Sequence, residues 1–350
     1  MAERPGRGTV AGRLGGHPAP VERPRPIRRS RRIAPEVIHV GAACRDVAPD
    51  DPRGWRLGGG VTYSALTTAR LGLRTVAVVG VDELARTAHE LDLLREAGVD
   101  LMLVPLAEGP IFHNVETPGG RVQTCVAAGR PVPVPPLPES WLGARAWSIA
   151  PVAAEIHDDW ITAIPGGAYV GLAWQGFLRT LVTGERVTRR PPAASRLLAR
   201  ADLVGVSHHD LDPSTPLADL FPLLRPGGRL LVTQGHEGGL LVNLGPDRRP
   251  ASELRYRATR SDREVDPTGA GDVFLAALVS SAIRRALAGR AHGRPDLAFA
   301  AAAGSLVVEG PGLTGVPDRA AVLVRMARER VRQLVAPTVA ERVGTYEDRT

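Results

Sequence analysis

Residues 266–274 are the most informative stretch of the chain and read Asp266-Pro267-Thr268-Gly269-Ala270-Gly271-Asp272-Val273-Phe274. The apolar residues after them predict a helix. Three small residues between two carboxylates let backbone amides converge where that helix begins, and unpaired amides at the positive end of a helix dipole bind an anion. A carboxylate at Asp272, in the first turn, can then take a proton from a group beside the anion. The stretch therefore predicts an anion site with an adjacent base, as phosphoryl transfer to a hydroxyl requires.

Length and cysteine content set the broad class. The chain has 350 residues, 43% of them hydrophobic, which is enough for one large α/β domain. Cys44 and Cys125 are its two cysteines, so neither a disulfide framework nor a cysteine zinc site is expected, and a reducing cytoplasm is the default location. Apolar runs fall short of a membrane span, so no membrane partner is expected.

Lysine is absent from the sequence, and all 44 basic residues are arginines. A P-loop needs a lysine at the phosphates, a protein kinase needs one on a strand, and a pyridoxal enzyme needs one for its Schiff base. Composition therefore excludes all three classes.

The positive charge is concentrated in one segment. Residues 1–32 hold nine arginines against Glu3 and Glu22, a net charge of +7 that equals the net charge of the whole chain. Nucleic-acid binding is therefore not expected of the remaining domain, although the basic segment offers a surface for it. Proline and the scarcity of large apolar residues predict that residues 1–32 are disordered, and residues 336–350 are predicted to be a C-terminal tail.

Between these tails, residues 33–335 read as one α/β domain. Short apolar runs predict strands at 37–41, 75–80, 146–149, 168–172, 203–206, 229–233 and 239–242. Helical spacing follows Gly60 as far as Gly72 and recurs over residues 84–97, before Gly98. This alternation predicts a mainly parallel central sheet with helices on both faces.

Residues 111–128 interrupt the pattern. Alternating side chains on either side of Pro118-Gly119-Gly120 predict a β-hairpin in a small second sheet, to which residues 42–60 also contribute.

Other segments are weak signals when taken singly. Asp46 follows the first strand, where α/β enzymes place ligand groups, but a solvated loop carboxylate is an equal interpretation. The run Gly58-Gly59-Gly60 and the turn at 233–239 allow close backbone approach to a ligand or form simple turns. Small residues at 298–304 predict tight helix packing or a flat wall for a base. His208-His209-Asp210 is not expected to form a transition-metal site, because adjacent strand residues point to opposite sides.

In combination, these motifs resemble the ribokinase-like (PfkB) carbohydrate kinase family over residues 33–330. The C-terminal signature of that family matches Asp266 to Phe274, and its Gly-Gly signature matches Gly58-Gly59 together with residues 69–72, Ala-Arg-Leu-Gly. A third motif, Thr-x-Gly-x-x-Gly, matches Thr233, Gly235 and Gly238. The resemblance implies a three-layer sandwich with a small β-sheet lid, formed here by residues of about 42–60 and 111–128.

The resemblance also implies residue roles in an ATP- and Mg²⁺-dependent kinase. Asp272 would be the base, and the anion hole would comprise Gly269, Ala270 and Gly271. Substrate would be bound by Asp46, Gly58, Gly59, Tyr63, Arg121 and Gln175. ATP would be enclosed by Ser207, Thr233, Gly235, Gly238 and Gly304. Asp210 would hold Mg²⁺ through water, and a monovalent cation such as K⁺ would lie beside Asp266 and Thr268. The family also predicts a homodimer formed through the lid.

Two departures from the family pattern concern the substrate and the metal. Tyr63 stands where an asparagine is usual, and Ser207 opens a motif that is usually Asn-x-x-Glu and here retains its carboxylate as Asp210. Residues 112–123 and 175–179 resemble a branch that includes myo-inositol kinases. The leading prediction is a kinase of a small sugar, cyclic polyol or nucleoside, and the alternative is a catalytically weak pseudokinase that serves as a ligand sensor or scaffold.

Overall fold

A computed structural model describes residues 34–117, 120–290 and 295–335. Fifteen strands are found in these ranges. They are β1 (Val37–Ala42), β2 (Cys44–Val47), β3 (Trp55–Gly58), β4 (Thr75–Val81), β5 (Asp100–Pro105), β6 (Ile111–Thr117), β7 (Gly120–Ala127), β8 (Ala146–Ile149), β9 (Tyr169–Ala173), β10 (Arg179–Thr180), β11 (Thr188–Arg189), β12 (Leu203–Ser207), β13 (Arg229–Thr233), β14 (Gly239–Leu244) and β15 (Pro250–Tyr256).

Nine of these strands form the central sheet, in the order β15-β14-β13-β12-β9-β8-β1-β4-β5. All neighbours from β13 to β5 are parallel, and β14 and β15 are antiparallel additions at one edge. Parallel strands are buried on both faces, which is why their sequences are continuous apolar runs. The mainly parallel sheet predicted from the sequence is confirmed.

Six helices accompany the sheet within the described ranges. They are α1 (Gly60–Arg70), α2 (Glu90–Glu96), α3 (Arg196–Arg200), α4 (Ala270–Leu287), α5 (Leu297–Val307) and α6 (Arg319–Val335). None of the helices in these ranges combines the length and the apolar character that a membrane span requires.

The core forms two layers, one on each face of the sheet. On one face, α1, α2, α4, α5 and α6 bury side chains such as Leu66, Leu91 and Val279. On the other, α3 and short 3₁₀ turns bury Trp160 and Leu197. The layers meet at β1, where successive side chains alternate between the two faces. The result is the predicted three-layer architecture.

A second sheet stands beside the carboxyl end of β1, in the order β3-β2-β6-β7, and we call it the lid. The predicted hairpin corresponds to β6 and β7, paired antiparallel from Ile111–Ala127 to Thr117–Gly120. Two ion pairs join the lid to the main domain: Arg45 with Asp82, and Arg53 with Glu90.

Residues 179–190 also contact the lid, and we call this segment the strap. It starts in the small β10–β11 pairing, and its backbone hydrogen bonds to β7. The Gly184 amide donates to the Cys125 carbonyl at 2.8 Å, the Cys125 amide to the Glu185 carbonyl at 2.9 Å, and the Val187 amide to the Gln123 carbonyl at 2.8 Å. The strap therefore lies along the outer edge of the lid.

One predicted element differs in the structure. Residues 84–97 do not form a continuous helix, because Ala88 is extended, with ψ at 130°, between a 3₁₀ turn at Ala85–Thr87 and α2. The Asp82 carboxylate accepts the Ala85 amide at 2.8 Å and fixes the first turn separately. The predictions for residues 1–32 and 336–350 lie outside the described residues.

Candidate active site

The strands β1, β8, β9 and β12 end at one edge of the sheet, and the N-termini of α1 and α4 point to the same edge. Ligand groups of open α/β sheets collect at such an edge, because the carboxyl ends of parallel strands meet there. Most of the residues singled out from the sequence lie along it.

The N-terminus of α4 is the predicted anion loop. Gly269 precedes the helix in the left-handed conformation, with φ at 81°, and no side chain caps the first turn. A Cβ atom added to Gly271 would meet nothing within 4 Å, so open space lies in front of this turn. The Ala270 amide has a long hydrogen bond to the Pro267 carbonyl, at 3.4 Å. A helix N-terminus that lacks a side-chain cap and faces open space suits an oxyanion.

Asp272 lies in that first turn and is half-buried. Its Oδ1 atom is 2.7 Å from the position that a Cβ on Gly60 would take, so the carboxylate occupies the space that this glycine leaves free. Burial raises the pKa of Asp272 to about 6, and Arg179 nearby limits the rise. Asp272 is therefore ionised at neutral pH, and its pKa is close enough to neutrality for the carboxylate to act as a general base.

Asp46 lies on lid strand β2, where Gly58 of β3 passes close by. The Oδ2 atom of Asp46 fills the space of a Cβ on Gly58, and its Oδ1 atom accepts a hydrogen bond from Asn114 Nδ2 at 3.1 Å. Gln123 Nε2 in turn donates to Asn114 Oδ1 at 2.7 Å. This chain of amides orients the Asp46 carboxylate from the lid side.

Asn114 and Gln123 were not singled out from the sequence as site residues. Side chains alternate along β6, so Asn114 and Phe112 share one face of the hairpin, but which face turns toward Asp46 depends on tertiary packing. Arg121 lies in β7 opposite Glu116, and its side chain is outside what the structure describes.

Tyr63 takes a position beneath the anion loop. Its side chain is 2% exposed, and the ring lies where a Cβ on Gly269 would be. Burial raises the pKa of Tyr63 well above its usual range, with Asp266 as the strongest charged contributor. The ring therefore supports the loop from below, and its predicted substrate contact stays a prediction.

Ser207 and Asp210 form a short turn after β12. Ser207 Oγ accepts the His209 amide at 3.2 Å, and the Ser207 amide donates to the Asp210 carboxylate. Gln175 Nε2 lies 3.4 Å from Asp210 Oδ1. Burial raises the pKa of Asp210, and Arg179 opposes the rise. Gln175 thus contacts the predicted metal-side carboxylate.

The turn after β13 carries Thr233, Gly235 and Gly238. Thr233 pairs with Ser207 across the sheet, which places this turn beside Asp210. Gly238 has φ at 93°, and a Cβ there would overlap the Tyr256 carbonyl, so this position requires glycine. Tyr256 stacks against Phe274 of α4 at 4.9 Å between centroids.

Gly304 faces α4, since a Cβ there would lie 3.5 Å from the Ala270 carbonyl. The small residues at 298–304 thus take part in helix packing, and the predicted contact of Gly304 with ATP stays a prediction. Gly304 thereby lies against the first residue of α4.

The Asp266 carboxylate joins two loops. One oxygen accepts the Thr268 amide at 2.9 Å, and the other accepts the Gly312 amide at 3.0 Å. Its own amide donates to the Val308 carbonyl at 3.1 Å. Within the described ranges, no group of three or more His, Cys, Asp or Glu side chains is arranged to hold a metal ion.

Glu155 is a buried carboxylate that the sequence did not reveal. Its Oε1 atom accepts the Ala42 amide at 2.9 Å and its Oε2 atom accepts the Ala153 amide at 2.8 Å. Burial raises the pKa of Glu155 although these amides favour its charge. Glu155 therefore fixes the end of β1, where the chain enters the lid.

Part of the chain matches a model of a known protein family. Residues 187–319 match the pfkB family carbohydrate kinase model, and this span contains the anion loop, Asp272 and the turn at 233–238. The resemblance to the pfkB carbohydrate kinases is confirmed. Comparison with curated proteins gives no match.

Solved structures of the ribokinase family share the fold of this pfkB-like chain. One is a pyrophosphate-dependent kinase complexed with a pyrophosphate analog and myo-inositol, at 19% identity and a TM-score of 0.58, over 83% of this chain and 99% of that one. A fructokinase from Xylella fastidiosa with bound ATP has 21% identity and a TM-score of 0.62, over 84% and 99%. A nucleoside kinase from Methanocaldococcus jannaschii has 16% identity and a TM-score of 0.60, over 85% and 99%.

Proposed function

We propose that the protein transfers the γ-phosphoryl group of ATP to a hydroxyl of a small sugar or cyclic polyol. The family match and the fold support a carbohydrate kinase activity. The observation that carries the proposal is the position of Asp272 in the first turn of α4, beside open space in front of the Gly269-Ala270-Gly271 amides.

The proposed reaction uses these groups in one step. The attacking hydroxyl oxygen forms a bond to the γ-phosphorus while the bond to the bridging oxygen of the donor breaks. The proton of the hydroxyl goes to Asp272, and the nucleotide leaves as ADP. The amides of the anion loop donate to the transferring oxygens, whose charge is spread in the transition state.

Asp46 is the proposed ligand of the acceptor hydroxyls. Its carboxylate is held by Asn114 and lies against Gly58, and Gly59 follows at the end of the lid. The Asp46 carboxylate and the side-chain amides of Asn114 and Gln123 present hydrogen-bond acceptors and donors to a polyol. This combination suits a substrate with several adjacent hydroxyls. The inositol-bound relative supports a cyclic polyol as the first acceptor to test.

The remaining roles are proposals of the same kind. Ser207, Thr233, Gly235 and Gly238 would border the nucleotide, and Asp210 would hold Mg²⁺ through water. The buried carboxylate of Asp210, oriented by Gln175, fits a hydrated cation. A bound Mg²⁺ would neutralise charge on the donor phosphates. Asp266 and Thr268 would border a monovalent cation, and the lid would form the interface of a homodimer.

The test is a donor-release screen over inositols, pentoses, hexoses and nucleosides, with and without K⁺. ADP release is measured with ATP as donor, and phosphate release with pyrophosphate, because a ribokinase-family relative uses pyrophosphate. We expect at least one polyol or sugar to stimulate ADP release. If acceptors stimulate phosphate release from pyrophosphate but not ADP release from ATP, pyrophosphate replaces ATP as the proposed donor. If no acceptor stimulates release from either donor, the pseudokinase is favoured.

Asp272→Asn separates catalysis from folding. We expect turnover to fall by about 10²–10⁴-fold, as for loss of a general base, with an unchanged circular dichroism spectrum. Near-normal phosphorylation by this variant would refute the assignment of Asp272 as the base.

A further inference from the structure

Arg179 lies between the lid and the loop after β8, beside the candidate site, and has no role in the mechanism above. It begins β10, directly after the turn Gln175–Leu178 that follows β9. Its Nη1 donates to the Val152 carbonyl at 3.1 Å, and its guanidinium lies 5.7 Å from the centroid of the Phe112 ring. The side chain is thus held between the inner face of the lid and the loop after β8.

Three carboxylates of the site lie near this guanidinium. Gln175, in the turn before β10, contacts Asp210; Ala150, two residues before Val152, borders Gly60 beside Asp272; and Phe112 pairs with Asp46. The three carboxylates attract the guanidinium. They belong, respectively, to the proposed donor side, the proposed base and the proposed acceptor side. Burial lowers the pKa of Arg179 and the carboxylates oppose this, but an arginine remains charged. Arg179 therefore places one positive charge where donor, base and acceptor would meet.

The guanidinium retains hydrogen-bonding capacity. An arginine has five N–H groups, and among the described residues one donor atom of Arg179 is engaged, by the Val152 carbonyl. Arg179 also lines a cleft of about 270 Å³ formed with residues 128–131 and 153–157. The anion loop and the three carboxylates do not line this cleft, which reaches Arg179 from the other side. The planar fork of Arg179 is suited to the oxygens of a phosphoryl group.

We propose that Arg179 binds the transferring phosphoryl group together with the anion-loop amides. This inference rests on the proposed function. Its N–H groups donate to the equatorial oxygens of the γ-phosphoryl group as the bond to the acceptor oxygen forms and the bond to the leaving oxygen breaks. The proton still goes to Asp272, and Arg179 neither gains nor loses one. Its contribution is charge stabilisation in the transition state, as an arginine supplied by the chain itself.

The strap connects this residue to the lid. Arg179 and Thr180 pair with Arg189 and Thr188, and the residues between them hydrogen bond to β7. The segment that starts with Arg179 is therefore joined to the lid by backbone hydrogen bonds.

Steady-state kinetics of Arg179→Lys and Arg179→Ala test the proposal, with Arg249→Ala as a control at an exposed arginine. We expect kcat to fall by about 10²–10³-fold in both Arg179 variants, with KM of donor and acceptor within about threefold, because a lysine cannot reproduce the fork. Added guanidinium should restore part of the kcat of Arg179→Ala through the cleft. An increase in acceptor KM at unchanged kcat, or no change at all, would overturn the proposal.

A binding measurement separates this inference from the proposed function. Calorimetry with inorganic tripolyphosphate compares the wild type with Arg179→Lys, which keeps the charge and is used if Arg179→Ala does not fold. If the wild type phosphorylates no acceptor, at least tenfold weaker binding by the variant supports Arg179 as an oxyanion ligand while the proposed function fails. Equal binding in that case overturns both. Where the wild type is active, the kcat values decide.

Discussion

The Asp272 carboxylate lies against Gly60, with Oδ1 2.7 Å from the position of a Cβ on that residue. Two helices that are more than 200 residues apart in sequence thus meet at the proposed base, and the glycine at the start of α1 is a condition for the position of Asp272. We expect Gly60→Ala to displace the carboxylate and to lower kcat by about 10²-fold, the cost of a misplacement of about 1 Å. Steady-state kinetics measure this. Gly166→Ala is the control, since its Cβ meets nothing; equal kcat in both variants would contradict the prediction.

Gly271→Val tests the open space in front of α4. Because a Cβ at this position meets no atom within 4 Å, we expect the melting temperature to stay within a few degrees while kcat falls by about 10²-fold, as for loss of an oxyanion donor. Gly269→Ala is the comparison: its φ of 81° and the Tyr63 ring predict a loss of about 1–3 kcal/mol in stability. A Gly271→Val protein with normal turnover would show that the space is not used by an anion.

The pKa of Asp272 predicts how activity depends on pH. A base with a pKa of about 6 is protonated below that pH, so kcat/KM should fall tenfold per pH unit below about 6 and reach a plateau above 7. The measurement is a profile of kcat/KM from pH 4.5 to 8.5. A carboxyl with the ordinary pKa of 3.8 would leave activity almost constant down to pH 5, and that result would contradict the assignment.

The same shift predicts an effect on stability of opposite sign to the effect on activity. Because the pKa is raised in the folded protein, ionisation of Asp272 destabilises the fold as pH rises from about 4 through about 6. Asp272→Asn should therefore be about 1–3 kcal/mol more stable than the wild type at pH 8 and equal to it at pH 4. Urea unfolding at the two pH values measures the difference, and a variant less stable at pH 8 would contradict it.

Asn114 of β6 holds the proposed acceptor carboxylate of Asp46, on the neighbouring lid strand β2. Loss of its hydrogen bond to Asp46 in Asn114→Ala should raise the acceptor KM by about tenfold, consistent with one charge-assisted hydrogen bond, and change the donor KM little. The matched control is Asn243→Ala on β14, whose amide donates to Ser252 away from the site. A change in donor KM alone would indicate that Asn114 acts on the donor side of the site, and it would contradict the prediction.

Glu90 anchors the lid to α2. Its carboxylate accepts two hydrogen bonds from Arg53, at 2.6 and 2.8 Å, and one from the Leu57 amide at 3.0 Å. Glu90→Gln should cost about 1 kcal/mol of stability, because the partly exposed Arg53 loses one of its two carboxylate partners and keeps Asp51. Glu83→Gln is the control, since it pairs with Arg86 at the surface, where such pairs contribute little. Equal unfolding midpoints would show that the lid is not anchored by this pair.

Local motifs were the part of the site that sequence could predict. The motifs at Gly269 to Asp272 and at Gly58 to Gly60 can be recognised from short stretches of sequence, because backbone conformation and helix termini are local properties. The contacts between segments were not accessible in this way. The packing of the lid and helices determines three of these contacts: Tyr63 under Gly269, the hydrogen bonds from Gln123 through Asn114, and the position of Arg179.

The fold divides along the same line. Buried parallel strands are apolar runs and were found, whereas β15, with mostly exposed residues, lacks that signal and was missed. The helix expected over residues 84–97 was wrong, because Asp82 captures the Ala85 amide and a separate turn precedes α2. Side-chain capping of this kind overrides helical spacing.

The strap has a consequence for assembly. An exposed β-strand edge offers unpaired amides and carbonyls to which another chain can add a strand. Residues 184–187 already pair with β7, so that edge is closed from within the same chain. A homodimer formed through the lid would then join at β3 or through the face that exposes Val115 and Val126. The segment that begins with a candidate catalytic arginine thus also protects the lid against edge-to-edge aggregation.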